Sequence, residues 1–203
     1  MDNSQGRLQD FREYIERIFL QDPEIFAFDS TVKSCPPVAS FNYENVPEQD
    51  YITSITFGVS EFNNPEWTEG RPELMLTVQS TDMNWGKALA FIGAELIEEH
   101  NFEYGEVIHF GNQISEESKM TSFFVFAPSI LESEDYENIK IEDRNINLVA
   151  LYPIYKEEEE TIEAVGLEEF MKHPSYDMYS VTRAPIIIGS DQNKWLPSDW
   201  SKN

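Results

Sequence analysis

The sequence predicts an α+β fold, a single mixed β-sheet domain flanked by helices, and three observations carry that prediction. Leu148, Val149, Ala150 and Leu151 form an unbroken apolar run, the pattern of a strand covered on both faces and so placed in the middle of a sheet. Trp85, Leu89, Ile92 and Leu96 fall within about 60° of one another on a helical wheel at 100° per residue, the longest helical signal in the chain. The elements run helix, several strands, helix, several strands, helix, which separates α+β from a strictly alternating parallel architecture. With 203 residues, 40% of them hydrophobic, the chain can bury one sizeable core. One domain over residues 1–203 is expected, with a core at about 24–185, an N-terminal helix at 4–20 and a polar tail at 189–203.

Taken in order, Leu8, Phe11, Ile15, Ile18 and Phe19 repeat at helical spacing between charged residues, and Asn3 or Ser4 can cap the start. Asp22-Pro23 ends this helix. Two β-segments, IFAFDS and VASFNYEN, flank the Cys35-Pro36-Pro37 turn. Tyr51, Thr53, Ile55, Phe57 and Val59 share one side of the next strand, and Gly58 lets it bend. After a loop marked by Asn63-Asn64-Pro65 and Glu69-Gly70, Leu74, Leu76 and Val78 alternate with Glu73, Thr77 and Gln79, which predicts a half-buried strand. Asn84 is the expected N-cap of the long helix. Val107 to Phe110 and Phe123 to Ala127 read as strands, the second central, with Gly111 to Lys119 as loop between them.

Residues from Leu131 to Arg144 are acidic and turn-like and lead into the apolar run. That strand must end or bulge at Pro153, which lacks an amide hydrogen. Glu157, Glu158, Glu159 and Glu160 then fall in the first turn of a helix, where carboxylates meet unpaired amides and the positive end of the dipole. Gly166 divides this helix from a second one carrying Leu167, Phe170 and Met171. Ile186-Ile187-Ile188 closes the fold, and in the tail only Trp195 and Trp200 can act as anchors.

The charge balance excludes several classes of function. Fourteen basic against 38 acidic residues give −24 at pH 7, which repels phosphate backbones and anionic membranes. Direct nucleic-acid and membrane partners are not expected. A 13% aromatic content is too apolar for a disordered acidic tail. Cys35 is the only cysteine, which rules out an internal disulfide. The N-terminus lacks the features of a signal peptide, and no apolar run approaches the roughly 18 residues of a membrane span, so a cytoplasmic location is expected.

Reactive constellations are missing as well. His100, His109 and His173 lack metal-ligand spacing, Cys35 has no histidine signature beside it, and Ser30 with Lys33 lacks the companion motifs of an acyl-enzyme. Neither GxGxxG nor GxxxxGK occurs. No metal, cofactor, catalytic residue or small-molecule substrate is expected. The remaining feature is where the charge lies: residues 91–170 hold 20 acidic and 4 basic side chains, a net of −16 out of −24.

Four segments in sequence, YITSITFGVSE, RPELMLTV, MNWGKALAFIGAELIEEHNFEYGEVIHFGN and INLVALYPIYKEEEETIEAVGLEEFMKH, together resemble the suppressor-of-fused family in its compact bacterial form. Gly58 and Ser60 match its Gly-Met-Ser strand end, with Val59 in place of Met. Arg71, Glu73 and Leu74 match its Arg-x-Glu-Leu strand, with Pro72 at the small-residue position. Pro153, Tyr155, Glu158, Gly166 and Leu167 fit the last motif. The likeness covers roughly residues 24–185.

The resemblance implies a binding domain rather than an enzyme. Compact bacterial members look like immunity proteins, or antitoxins, that neutralise a cognate secreted polymorphic toxin. Joined with the charge, this gives the leading expectation, a cytoplasmic inhibitor of a basic nuclease domain, because a protein that cuts nucleic acid must itself be basic. Glu132, Glu134, Asp135 and Glu157 to Glu160 are the candidate partner-binding residues. The alternative is a regulator that sequesters an endogenous protein by capturing an extended peptide at a sheet edge, with Tyr51 to Val59 or Ile25 to Ser30 supplying that edge. A plain solubilising role for the acids, and an enzyme of unrecognised type, complete the readings.

Overall fold

A computed structural model describes residues 3–188. The elements are α1 (Ser4–Phe19), β1 (Glu24–Phe28), β2 (Val38–Glu44), β3 (Tyr51–Phe57), β4 (Arg71–Gln79), α2 (Asn84–Glu95), β5 (Val107–His109), β6 (Ser122–Phe126), α3 (Ser133–Tyr136), β7 (Ile139–Ile141), β8 (Arg144–Ile154), α4 (Lys156–Val165) and α5 (Leu167–Met171). Eight strands make one mixed sheet in the order β1-β2-β3-β4-β8-β6-β5, with β7 also pairing β8. The β4–β8 pairing is parallel and the other pairings are antiparallel. The apolar run at 148–151 lies in β8, between β4 and β6, in the centre as its sequence requires.

Both faces of the sheet are covered. On one, α2 lays Trp85, Leu89 and Ile92 over Leu74, Leu76, Val125, Val149 and Leu151. The approach is close because Gly86 has no side chain: a Cβ there would stand 1.7 Å from Asn42 Oδ1. On the opposite face, α1 buries Phe11 and Ile15 against Phe41, Ile55, Met75 and Leu148. Beside it, α4 and α5 bring Ile162 and Phe170 onto Phe124, Tyr152 and Ile154.

This two-sided cover changes several sequence expectations. Glu73, expected on a solvated face, is fully buried, because helices cover both faces of the sheet at β4. Its carboxylate accepts from Thr56 Oγ1 at 2.7 Å and from the Gly58 and Ser60 amides at 2.9 and 3.0 Å. It thereby holds the 3-10 turn Val59–Glu61, which begins where Gly58 adopts φ +128. Val59 is therefore in that turn rather than in the strand. The helix start is shifted too: Met83 is the N-cap of α2, and Asp82 Oδ1 accepts the Asn84 amide at 2.9 Å.

Arg7, in the first turns of α1, is buried and pairs with Glu61, which also binds Arg144 at 2.7 Å. The acidic stretch after Leu131 is more ordered than its composition suggests, since it contains α3 and β7. Gly166 takes φ +86 and hinges α4 onto α5. Ile186 to Ile188 form no strand. The Ile186 amide donates to Glu158 Oε1 at 2.7 Å, and Thr161 Oγ1 donates to the Ile186 carbonyl at 3.3 Å, so the segment runs along α4. The tail at 189–203, with Trp195 and Trp200, lies outside the described residues. Among the described residues, no helix is long and apolar enough to cross a membrane.

Candidate functional site

The register of β8 leaves a notch in the sheet. On one side β8 is paired with β4; on the other, β7 covers Arg144 to Ile146 and β6 takes over only at Ala150, opposite Phe126. Asn147, Leu148 and Val149 therefore have no strand on that side. The Asn147 side chain fills part of the gap, accepting the Asn138 amide at 2.7 Å and reaching the Glu69 carbonyl at 3.4 Å. Gly70, at φ +138, is needed beneath it, because a Cβ would lie 2.5 Å from Asn147 Nδ2.

Over this notch opens a groove of about 750 Å³. One wall is the loop before β4, with Trp67 fixed by a 3.1 Å hydrogen bond from Nε1 to the Asn101 carbonyl. The other is the loop before β5, with Phe102 buried and Tyr104 half-exposed. That second loop is pinned where Gly105 N donates to the Val125 carbonyl at 2.8 Å and Glu103 N donates to Glu106 Oε2 at 3.2 Å. Glu66, Glu69, Glu103 and Glu137 line the groove, all four exposed, and among the described residues no basic side chain does. Burial, and after it the nearby Tyr136 and Glu137, push the Tyr104 phenol up to about 12, so it stays neutral at physiological pH. Carboxylates around the exposed Tyr104 ring and the partly buried Trp67 ring suit a cationic segment, since the acids pair with Lys or Arg and the ring faces attract the same cations.

The acids singled out from sequence fall into two groups. Glu132 and Glu134 are exposed and Asp135 is half-buried, its carbonyl accepting the Tyr14 hydroxyl at 3.1 Å. They lead directly into Glu137 on the groove rim. The Glu157 to Glu160 run is not one surface cluster. Glu157 and Glu160 are exposed, whereas Glu158 is fully buried and cannot meet a partner. Its carboxylate takes the Tyr155 amide at 2.9 Å and Arg183 Nη2 at 2.8 Å besides Ile186. Glu159 is half-buried and binds His109 Nδ1 at 2.8 Å together with the Ser122 hydroxyl. Ser122 begins β6, and among the described residues none of β6 or α4 lines the groove, so these acids lie apart from it.

Sequence reasoning missed Glu66, Trp67, Glu69, Glu103, Tyr104 and Glu137. A signal for most of them was present: Glu66-Trp67-Thr68-Glu69-Gly70 and Phe102-Glu103-Tyr104-Gly105 each set acids beside aromatics just before a glycine. Of the two edges proposed for peptide capture, Tyr51 to Val59 is excluded because β3 is paired on both sides by β2 and β4. Ile25 to Ser30 fits for its strand part, since β1 is a sheet edge and Ile25 is exposed.

Comparison with known proteins agrees with this architecture. The structure is similar to a SUFU homologue from Neisseria gonorrhoeae FA 1090, at 16% identity and a TM-score of 0.65, over 92% of this chain and 97% of that one. It is similar to a chain of the Sufu–Fu complex at 13% identity and a TM-score of 0.63, over 88% of this chain and 91% of that one. Drosophila Suppressor of Fused aligns at 14% identity and a TM-score of 0.61, over 88% of this chain but 50% of that one. No curated protein matches the sequence. The family model of suppressor of fused protein matches residues 34–183, a span that holds β2 to α5 and the whole groove. The chain belongs to the suppressor of fused protein (SUFU) family.

Proposed function

We propose that this protein is an immunity protein that binds a basic toxin domain in the cytoplasm and occupies it, performing no reaction of its own. The observation that carries the proposal is the groove at the sheet notch, which, among the described residues, four carboxylates and no basic side chain line around Trp67 and Tyr104. A nuclease domain must present cationic residues to its phosphate substrate, and those are the residues such a groove attracts. The family supports a binding role, since one of the similar structures is a complex of Sufu with Fu. Glu132 and Glu134 extend the acidic rim, while Glu157 and Glu160 offer a second, separate acidic site. The test is co-expression with the product of the adjacent gene, followed by growth and pull-down. Rescue of growth and a stable complex are expected; neither would be seen if the proposal is wrong.

A second reading is favoured by the free edge at β1, where Ile25 is 47% exposed. Such an edge can accept an extended peptide from an endogenous protein as an added strand. Recovery of a chromosomal regulator in place of a toxin, lost when Phe26 is replaced by proline, would support it.

A further inference from the structure

A second cavity adjoins the groove and differs from it in chemistry. It holds about 200 Å³ and is walled by Phe124, Phe126, Tyr152, Met171, Tyr176 and Met178, with no charged side chain among its lining residues. The Tyr152 hydroxyl is already used, donating to the Ala127 carbonyl at 2.8 Å, and the ring stacks on Phe124 at 5.1 Å. The two methionines, unbranched and polarisable, let the walls adapt to what enters. The cavity is smaller than the usual small-molecule site of roughly 300 Å³ or more, and its size suits one aliphatic side chain.

The two cavities have no lining residue in common and meet at one aromatic contact. Tyr104 lines the groove and Phe126 lines the pocket, and their rings pack at 5.5 Å while remaining 50% and 37% exposed. A ligand that crosses this aromatic pair passes from a groove whose charged residues are all acidic to a pocket lined mainly by aromatic rings and methionines. We propose that the pocket receives a single Leu, Ile or Met side chain from the same cationic segment that the groove holds. The inference rests on the binding reading above and adds to it the chemistry of the segment: Lys or Arg residues, then one aliphatic anchor. The acids supply attraction and orientation, whereas burial of the anchor supplies discrimination and slow release.

The test uses the full chain and two fluorescein-labelled peptides of alternating Lys and Ser, identical except for one central Leu or Ala. Affinity is read by fluorescence polarisation, and the sites by methyl signals of the six methionines labelled with carbon-13. The Leu peptide should bind at least tenfold more tightly than the Ala peptide, as expected for burying one such side chain. It should move the Met171 and Met178 signals and leave those of Met75, Met83 and Met120 in place. Equal affinity of the two peptides, with binding still weakened by Glu103→Gln together with Glu137→Gln, overturns the pocket and leaves the groove standing. No binding by either peptide, or binding indifferent to those two substitutions, overturns both. Met171 and Met178 shifts that follow protein concentration without peptide assign the pocket to a second copy of the chain and also overturn the proposal.

Discussion

The buried Glu158–Arg183 pair gives a prediction whose size follows from the geometry. Glu158→Ala would remove the acceptor for both Arg183 terminal nitrogens, for the Tyr155 amide and for the Ile186 amide. The guanidinium would stay enclosed, 5% exposed, among the rings of Tyr155, Phe170 and Tyr176 at 5.7, 6.0 and 5.2 Å. Removing one partner of a buried pair costs about 3–5 kcal/mol, since the other charge is left uncompensated. That is a large part of the roughly 5–15 kcal/mol that stabilises a typical domain. With a urea slope near 2 kcal/mol/M, the unfolding midpoint should fall by about 1.5–2.5 M. Replacing both groups, Glu158→Leu with Arg183→Met, removes the stranded charge and should recover that part of the loss, while the Tyr155 and Ile186 amides stay without their acceptor. Urea unfolding followed by tryptophan fluorescence reads all three proteins. A single variant within about 0.5 kcal/mol of wild type, or a double variant no better than the single, would refute the assignment.

Three further outcomes are expected. Burial holds the Glu73 carboxyl above its usual range, against the lowering pull of its bonds to Thr56, Ser60 and Gly58. The folded form therefore keeps its proton to higher pH than the unfolded form does. The resulting contribution favours folding below the unfolded value near 4.3 and is lost as pH rises toward the folded one. Glu73→Gln removes that loss, so its melting temperature relative to wild type should climb with pH across this window; a constant difference would count against it. Gly86→Ala places a methyl 1.7 Å from Asn42 Oδ1 and 2.7 Å from Ser54 Oγ, and calorimetry should show a loss of about 2 kcal/mol or more. Glu157→Lys with Glu160→Lys, on exposed positions of α4, should change stability by less than about 0.5 kcal/mol, and a larger loss by the same calorimetry would show that these acids are structural.

The helices and most strands were legible in the sequence because periodicity reports which face is covered. Phe11 and Ile15 of α1, Trp85 and Ile92 of α2, and the apolar run of β8 are all buried as their spacing implies. Glu73 was not legible. Alternation with Leu74 and Leu76 reads as solvent exposure, whereas α1 covers that face of the sheet and the Thr56 to Ser60 segment wraps the carboxyl group. Ile186 to Ile188 failed for a related reason: three β-branched residues read as a strand, but the partners that claim their backbone are Glu158 and Thr161 of α4. For the candidate site, the acidic bias of residues 91–170 takes in Glu103 and Glu137 of the groove but not Glu66 and Glu69. It could not separate the buried Glu158 from its exposed neighbours, because all four carry the same side chain in one helical turn. The groove was hidden because it is assembled from three loops around a gap that only strand register creates.

The most direct test of the account is the association rate constant between this protein and its captured basic partner, measured by stopped flow over about 20–500 mM salt. Wild type is compared with Glu66→Gln, Glu69→Gln, Glu103→Gln and Glu137→Gln combined. Wild type should slow steeply as salt rises, and the variant should associate at least about tenfold more slowly at low salt with a nearly flat dependence. Equal rates and equal salt dependence for the two proteins would contradict it.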